Sequence, residues 1–247
     1  MTSRIQFVRR KRDDAWNLGI AHREYLISQY MEKHELRERP FLKDIVDDLI
    51  EEIQGARLRE EVLLLDTFGQ TELVNGRIEV SINSRIAKMP GVKNAIGVAH
   101  VTKWHESFHV DQDMGSERGA PQSQQLAFSV IDSQAPRLII CRNIGSTDSN
   151  IAGREFIAEN AAVAAAISDA DLNRCDAFQE FQLLIKPGGV YGGMAWRLLY
   201  QTEQDIQVNI SSLVKYFEHR GLFRIEKLRG ENLIIVDPQM GGGFGWE

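Results

Sequence analysis

His105-Glu106-Ser107-Phe108-His109 sets two imidazoles four residues apart with a carboxylate between them. On a helix, residues four apart share a face, so both rings can reach one metal ion, and zinc accepts histidine nitrogen as a ligand. Glu106 stands one residue round from the first ring, where it can hydrogen-bond the metal's water and take its proton. The competing reading is two histidines on a charged surface helix. The lead-in, Ala95-Ile96-Gly97-Val98-Ala99-His100-Val101-Thr102-Lys103-Trp104, favours a buried and anchored helix instead. It holds no proline, and Ile96, Ala99, Val101 and Trp104 recur at roughly helical spacing up to Phe108. Pro90-Gly91 upstream reads as a turn. Earlier, Ile78, Val80 and Ile82 alternate with polar residues after Asn75-Gly76, the pattern of a half-buried strand entered through a tight turn.

A catalytic zinc site needs a third protein ligand, with a further position left for water. A Gly three residues and a His six residues after His109 would make a metzincin; Gln112 and Gly115 stand there and exclude that class. The remaining common solution is a Glu from a second helix. Arg154 to Ile167 reads as a strong helix with a small, alanine-rich face that allows another helix to approach closely. Taken alone it would pass for a core helix with acidic residues in the first turn, where the helix dipole favours them. Beside His105 and His109, Glu155 is the expected ligand and Glu159 a supporting acid, with Glu159 itself the alternative ligand. Asp148, in the turn-forming run Gly145-Ser146-Thr147-Asp148, is a third option.

The run from Gly76 through His109 resembles the ImmA/IrrE family of bacterial and phage metallopeptidases. The family has a strand of the form G-x-I-x-I-x-x-N, a short loop, and a helix carrying H-E-x-x-H. The Glu155-x-x-Ala158 helix is similar to the family's E-x-x-A-N-x-F-A helix. Glu159 stands where Asn or Asp is usual, Ala161 where Phe is usual, and Phe108 where Gly commonly precedes the second His. The resemblance covers about two thirds of the chain. It implies a cytoplasmic zinc peptidase that inactivates a DNA-binding repressor, of the kind found on mobile elements or in stress-response operons.

Composition is compatible with such a protein. The chain has 247 residues, 43% hydrophobic and 26% charged, enough for one core plus a small appended unit. No apolar run approaches the roughly 20 residues that span a bilayer, and Met1 to Phe7 has no secretory character. Cys141 and Cys175 lack metal-ligand spacing and read as two reduced thiols. A net charge of -6 argues against a chain devoted to nucleic acid, although Arg9-Arg10-Lys11-Arg12 is a local basic run.

The expected fold class is therefore α+β, a zincin-like metallopeptidase core of small mixed sheet and zinc-binding helices with a C-terminal winged-helix-like unit. Residues 1–60 are expected to form a helical segment, two helices broken near Glu38-Arg39-Pro40, the second with an apolar stripe from Leu42 to Ile53. Residues 61–185 form the core. Its sheet is expected to begin at Val62 to Leu65 and continue through Glu72-Leu73-Val74, the strand at Ile78 and Arg137 to Cys141; Gly115 to Gln125 reads as loop. Lys186-Pro187-Gly188-Gly189 with Gly192-Gly193 reads as a flexible joint. Residues 190–247 then hold helices at Met194–Gln204 and Ser211–Arg220, a hairpin around Arg229 to Asn232, and a flexible glycine-rich tail. In the family a helix-turn-helix-like segment lies at this position; packing against the core is favoured over DNA contact, because the second helix carries few basic residues.

The chemistry expected is zinc-dependent proteolysis with Glu106 as base, His105, His109 and Glu155 as ligands, and Tyr191, Tyr200 or His219 as a possible electrophile. The strand Arg77–Asn83 is expected to be a sheet edge that pairs with an extended substrate, making Arg77, Glu79, Ser81 and Asn83 substrate-binding positions. The alternative is a non-proteolytic regulatory protein that binds a repressor or DNA around a structural or vestigial zinc site. Glu106 speaks against it, since a structural site has no need of a base between its histidines.

Overall fold

The computed structural model describes residues 4–64, 66–111, 137–141, 149–228 and 230–238. The fold is α+β. Helix α1 (Arg4–Lys33) buries Ala15, Trp16, Gly19, Arg23, Leu26 and Ile27, a stripe spaced three and four apart. That stripe lies on α4 (Ser149–Ala166), and the two backbones meet where a Cβ on Gly19 would sit 2.2 Å from the Ala161 carbonyl oxygen. The Arg23 guanidinium donates to the carbonyls of Ala164 and Ile167, meeting acceptors that the end of α4 leaves unpaired. From Asn160 to Ala166 every residue of α4 is buried, because α1 and α3 (Ala95–His109) pack against it. The alanines are thus explained by two close neighbours rather than one.

Helix α2 (Leu42–Asp48) continues into a wider turn at Leu49–Ile53, and its stripe of Leu42, Ile45, Val46, Leu49 and Ile50 is buried. A four-stranded sheet follows, made of β1 (Arg57–Glu61), β2 (Gly69–Val74), β3 (Arg77–Asn83) and β4 (Arg137–Cys141). Its order is β1-β3-β2-β4, with β1 parallel to β3 and the other pairs antiparallel. Asn75 (φ 52°) and Gly76 (φ 76°) make the turn between β2 and β3, both in the left-handed region that such a two-residue hairpin requires. The sheet begins earlier than the apolar run at 62–64 suggests. Val62 and Leu64 are exposed, and the first strand is the polar Arg57–Glu61, held by backbone pairing to β3 that needs no apolar side chains.

Two helices at 169–173 (α5) and 176–184 (α6) fill a stretch that shows no clear sequence signal. Phe178 and Phe181 from α6 stack on Phe217, which ties the core to the C-terminal elements. These are β5 (Val190–Tyr191), α7 (Gly193–Asp205), α8 (Ile210–His219), β6 (Arg224–Leu228) and β7 (Glu231–Ile235), with sheet order β5-β7-β6. The expected joint at 186–189 is not loose. Gly188 N–H donates to Val236 O at 3.1 Å and Val236 N–H to Gly189 O at 3.0 Å, so the segment is pinned to the small sheet. The hairpin turn is also tighter than expected, since β6 and β7 run to Leu228 and Glu231. Among the described residues one large hydrophobic cluster links elements from Trp16 to Val236, and a small second cluster gathers Phe108, Ala158 and Ala161 between α3 and α4. No described helix is long and apolar enough to cross a membrane.

Candidate metal centre

Helix α3 starts at Asn94, whose side-chain oxygen accepts from Gly97 N–H at 2.8 Å and caps it. Gly97 is where the chain comes closest to the C-terminal unit, because a Cβ there would lie 2.3 Å from the Val208 carbonyl carbon. The Asn94 amide spans the same junction, donating to Glu203 Oε1 and to Val208 O. From this anchor the helix carries His105, Glu106 and His109 beneath the sheet, all three buried.

His105 Nε2 and His109 Nε2 face each other at 3.1 Å. Glu155, on α4, brings Oε2 to 3.3 Å from the first ring and Oε1 to 3.4 Å from the second. Four ligands about 2.0–2.1 Å from a tetrahedral zinc lie roughly 3.3 Å apart. The two imidazole nitrogens meet that spacing, each faces a different Glu155 oxygen, and one donor atom from each of the three residues lies within 4.8 Å of the others. Glu155 Oε2 is buried and accepts no hydrogen bond of good geometry, as expected of an oxygen whose partner is an ion. Among the described residues this is the one group of three or more His, Cys, Asp or Glu side chains that can hold a metal. Burial pushes the Glu155 carboxyl up, but the two imidazoles outweigh it and hold the group at about 2. The carboxylate is therefore ready to bind a cation without first losing a proton.

Glu159 does not converge on this point. One turn further along α4 it is exposed, and its Oε1 lies 3.4 Å from Lys215 Nζ. Asp148, Gln112, Gly115 and the segment from Gly115 to Gln125 lie outside the described residues, as does the tail from Gly241 to Trp246.

The Glu106 carboxyl is enclosed by β2. Thr71 Oγ1 donates to its Oε2 at 2.9 Å, and Gly69 leaves room for Oε1, which a Cβ there would approach to 3.0 Å. Burial raises the Glu106 pKa above the usual carboxylate range, more than the nearby imidazoles and Thr71 lower it. A cavity of about 520 Å³ opens beside it, lined by His105 and Glu106 on one side and by α7 and α8 on the other. Of the three candidate electrophiles, Tyr200 lines this cavity. The Tyr191 hydroxyl is engaged with Lys186, and His219 is stacked on Trp16 with ring centroids 3.9 Å apart.

The substrate-binding expectation for β3 is overturned. This strand lies between β1 and β2, so both of its edges are already paired and none is open to a substrate backbone. Glu79 pairs with Arg59 at 2.6 Å, and Ser81 is buried. Asn83 donates to Leu64 O and Thr67 O, bracing the loop before β2, while Arg77 is exposed at the hairpin end. Alternation along β3 marked the buried face of Ile78, Val80 and Ile82, but Ser81 and Asn83 on the other face are buried as well, and alternation carries no information on edge or centre.

Several supporting residues escaped sequence reading. His22 on α1 meets Ser107 Oγ at 2.9 Å through Nε2 and Asp111 Oδ2 at 3.3 Å through Nδ1. The order Ser-His-Asp suggests a nucleophile, but Ser107 is only 1% exposed, so no substrate can reach it. The Gln54 amide donates to Ser107 O at 2.8 Å from the end of the wide turn after α2. Together His22 and Gln54 fasten the back of α3 while its front carries the ligands. Gly69, the first residue of β2, comes close to Thr102 and Glu106, where a Cβ would be crowded.

Compared with family models, curated proteins and solved structures, the chain matches none of them.

Proposed function

We propose that this chain is a zinc-dependent endopeptidase of the gluzincin-like kind, built on a zincin-like core. The observation that carries the reading is the convergence of His105, His109 and Glu155 on one point beside the buried carboxyl of Glu106. Zinc, when bound, supplies a Lewis acid that acidifies its water and polarises the scissile carbonyl. Glu106, with its pKa raised by burial, takes the water's proton and returns it to the leaving amine. Thr71 fixes Glu106 Oε2 during both transfers. Tyr200 is the hydroxyl we assign to the carbonyl oxygen as its charge develops.

The resemblance to ImmA/IrrE metallopeptidases adds a substrate class, a helix-turn-helix repressor or related regulatory protein, and with it a cytoplasmic location on a mobile element or in a stress response. The C-terminal unit, two helices followed by a small sheet, is winged-helix-like in order. Its helix α8 turns Ser211, Ser212 and Lys215 towards the metal-side cavity, which favours a role in the peptidase over DNA contact. The test is incubation of the zinc-loaded protein with a panel of helix-turn-helix repressors, followed by mass spectrometry of fragments. Cleavage is expected from the wild type and not from Glu106→Gln; equal cleavage by both ends the reading.

A further inference from the structure

The cavity beside the metal centre is walled on its far side by α7 and α8, which bring Tyr200, Ser211, Ser212 and Lys215 to it. That wall is fixed to the metal helix by the Gly97–Val208 contact and the Asn94 bridge, so its side chains stand at a set place relative to His105 and Glu106. Four charged residues line the cavity besides the metal-centre groups: Lys93, Glu159, Glu203 and Lys215. Glu203 is buried and its Oε1 accepts from Asn94, which ties it to the wall. Glu159 and Lys215 face each other at 3.4 Å, and they are not equivalent. The Glu159 side chain is 52% exposed and can swing into water, whereas Lys215 is only 32% exposed and stays in the wall. Exposed ion pairs of this kind stabilise by only about 0–1 kcal/mol, so an incoming carboxylate displaces Glu159 easily. Among the described residues Lys93 makes no ion pair, and its charge has the same sign. Lys215 and Lys93 are the cavity's side chains that a ligand carboxylate can pair with directly.

Resting on the peptidase reading, we infer that Lys215 is a specificity-determining residue that selects a polypeptide with an acidic side chain near the scissile bond. Glu159 sits one helical turn after the ligand Glu155, about 6 Å along α4, and Lys215 reaches the cavity at that level. An acidic residue within a few positions of the cleaved bond can therefore reach Lys215 while the bond lies over the metal. In the empty cavity Glu159 holds the ammonium in place, and a substrate carboxylate takes it over.

The test is binding of fluorescent decapeptide libraries, randomised everywhere except for a central Glu, Gln or Lys, to the full-length zinc-loaded Glu106→Gln protein. The Glu library is expected to bind about five- to tenfold more tightly than the Gln library. Lys215→Met should abolish that preference, and Lys215→Glu should turn it towards Lys. Circular dichroism and zinc content confirm that each variant is folded and loaded. Equal affinity for the Glu and Gln libraries, or no binding of either, overturns the inference; a Lys preference in the unaltered wall would assign selection to Glu159 instead and overturns it too. Zinc-dependent cleavage of the same libraries by protein with Glu106 intact reports separately on the peptidase reading.

Discussion

Exchanging Glu155 and Glu159 one at a time for glutamine separates two carboxylates that lie one turn apart on the same helix. Glu155→Gln keeps the shape of the side chain but replaces the anionic group whose two oxygens lie 3.3 and 3.4 Å from the His105 and His109 rings. Losing an outer partner of a metal ligand typically costs 10- to 100-fold in affinity, so losing the ligand's charge should cost at least about 100-fold, or roughly 2.7 kcal/mol. Glu159→Gln breaks only an exposed pair with Lys215, worth about 0–1 kcal/mol and not directed at the metal, so zinc affinity should stay within about threefold of wild type. Competition against a chromogenic chelator at pH 7.5 reads both. A second signature appears without metal. The folded Glu155 carboxyl is held at about 2, below its ordinary 4.5, so its charged form contributes stability above about pH 4.5 and that contribution disappears as pH falls towards 2. The difference in urea midpoint between metal-free wild type and Glu155→Gln should therefore shrink across that interval. If Glu159→Gln loses zinc as severely as Glu155→Gln, or if Glu155→Gln binds within threefold of wild type, the ligand assignment is wrong.

Glu106 has the opposite sign. Its raised pKa means that the folded state holds the proton more tightly than the unfolded chain, so the group favours folding at low pH and that contribution is lost as pH rises from 4.5 through the folded value. Glu106→Gln should accordingly raise the metal-free melting temperature at pH 8, with the gain fading towards pH 4.5; an unchanged or lower melting temperature at pH 8 argues against a desolvated carboxylate there. At Gly69, an added Cβ would fall 2.6 Å from Thr102 Cγ2 and 3.0 Å from Glu106 Oε1. Gly69→Ala should cost about 1–3 kcal/mol by overpacking and displace the base. Because misplacement by about 1 Å can cost 100-fold, peptidase activity should fall at least tenfold while zinc affinity is kept. Activity that falls only in proportion to the folded fraction would mean that Gly69 does not position Glu106.

Local chemistry carried much of the site. Two histidines at helical spacing with a carboxylate between them can be read from the chain because all three lie within one helical turn and a half, and helix geometry alone makes them neighbours. The Asn75-Gly76 turn was legible for the same reason, since few residues accept its left-handed backbone. The alanine run marked a crowded helix, and its co-occurrence with the upstream motif made its acidic residues candidate ligands. Choosing between Glu155 and Glu159 was another matter. They share a helical face, and only the rotation of α4 under α1, set where Gly19 meets Ala161, aims the first at the histidines and the second at Lys215. The place of β3 in its sheet also lay beyond the sequence, because alternation reports which face is buried while the neighbours that cover its edges, β1 and β2, are chosen by long-range pairing. The polar strand β1 left little apolar trace, and Thr71, His22 and Gln54 come from elements 35 to 85 residues away from the residues they hold. A sequence determines chemistry where neighbours along the chain are neighbours in space. Packing between distant segments decided which carboxylate faces the histidines, what encloses Glu106, and which charges line the cavity.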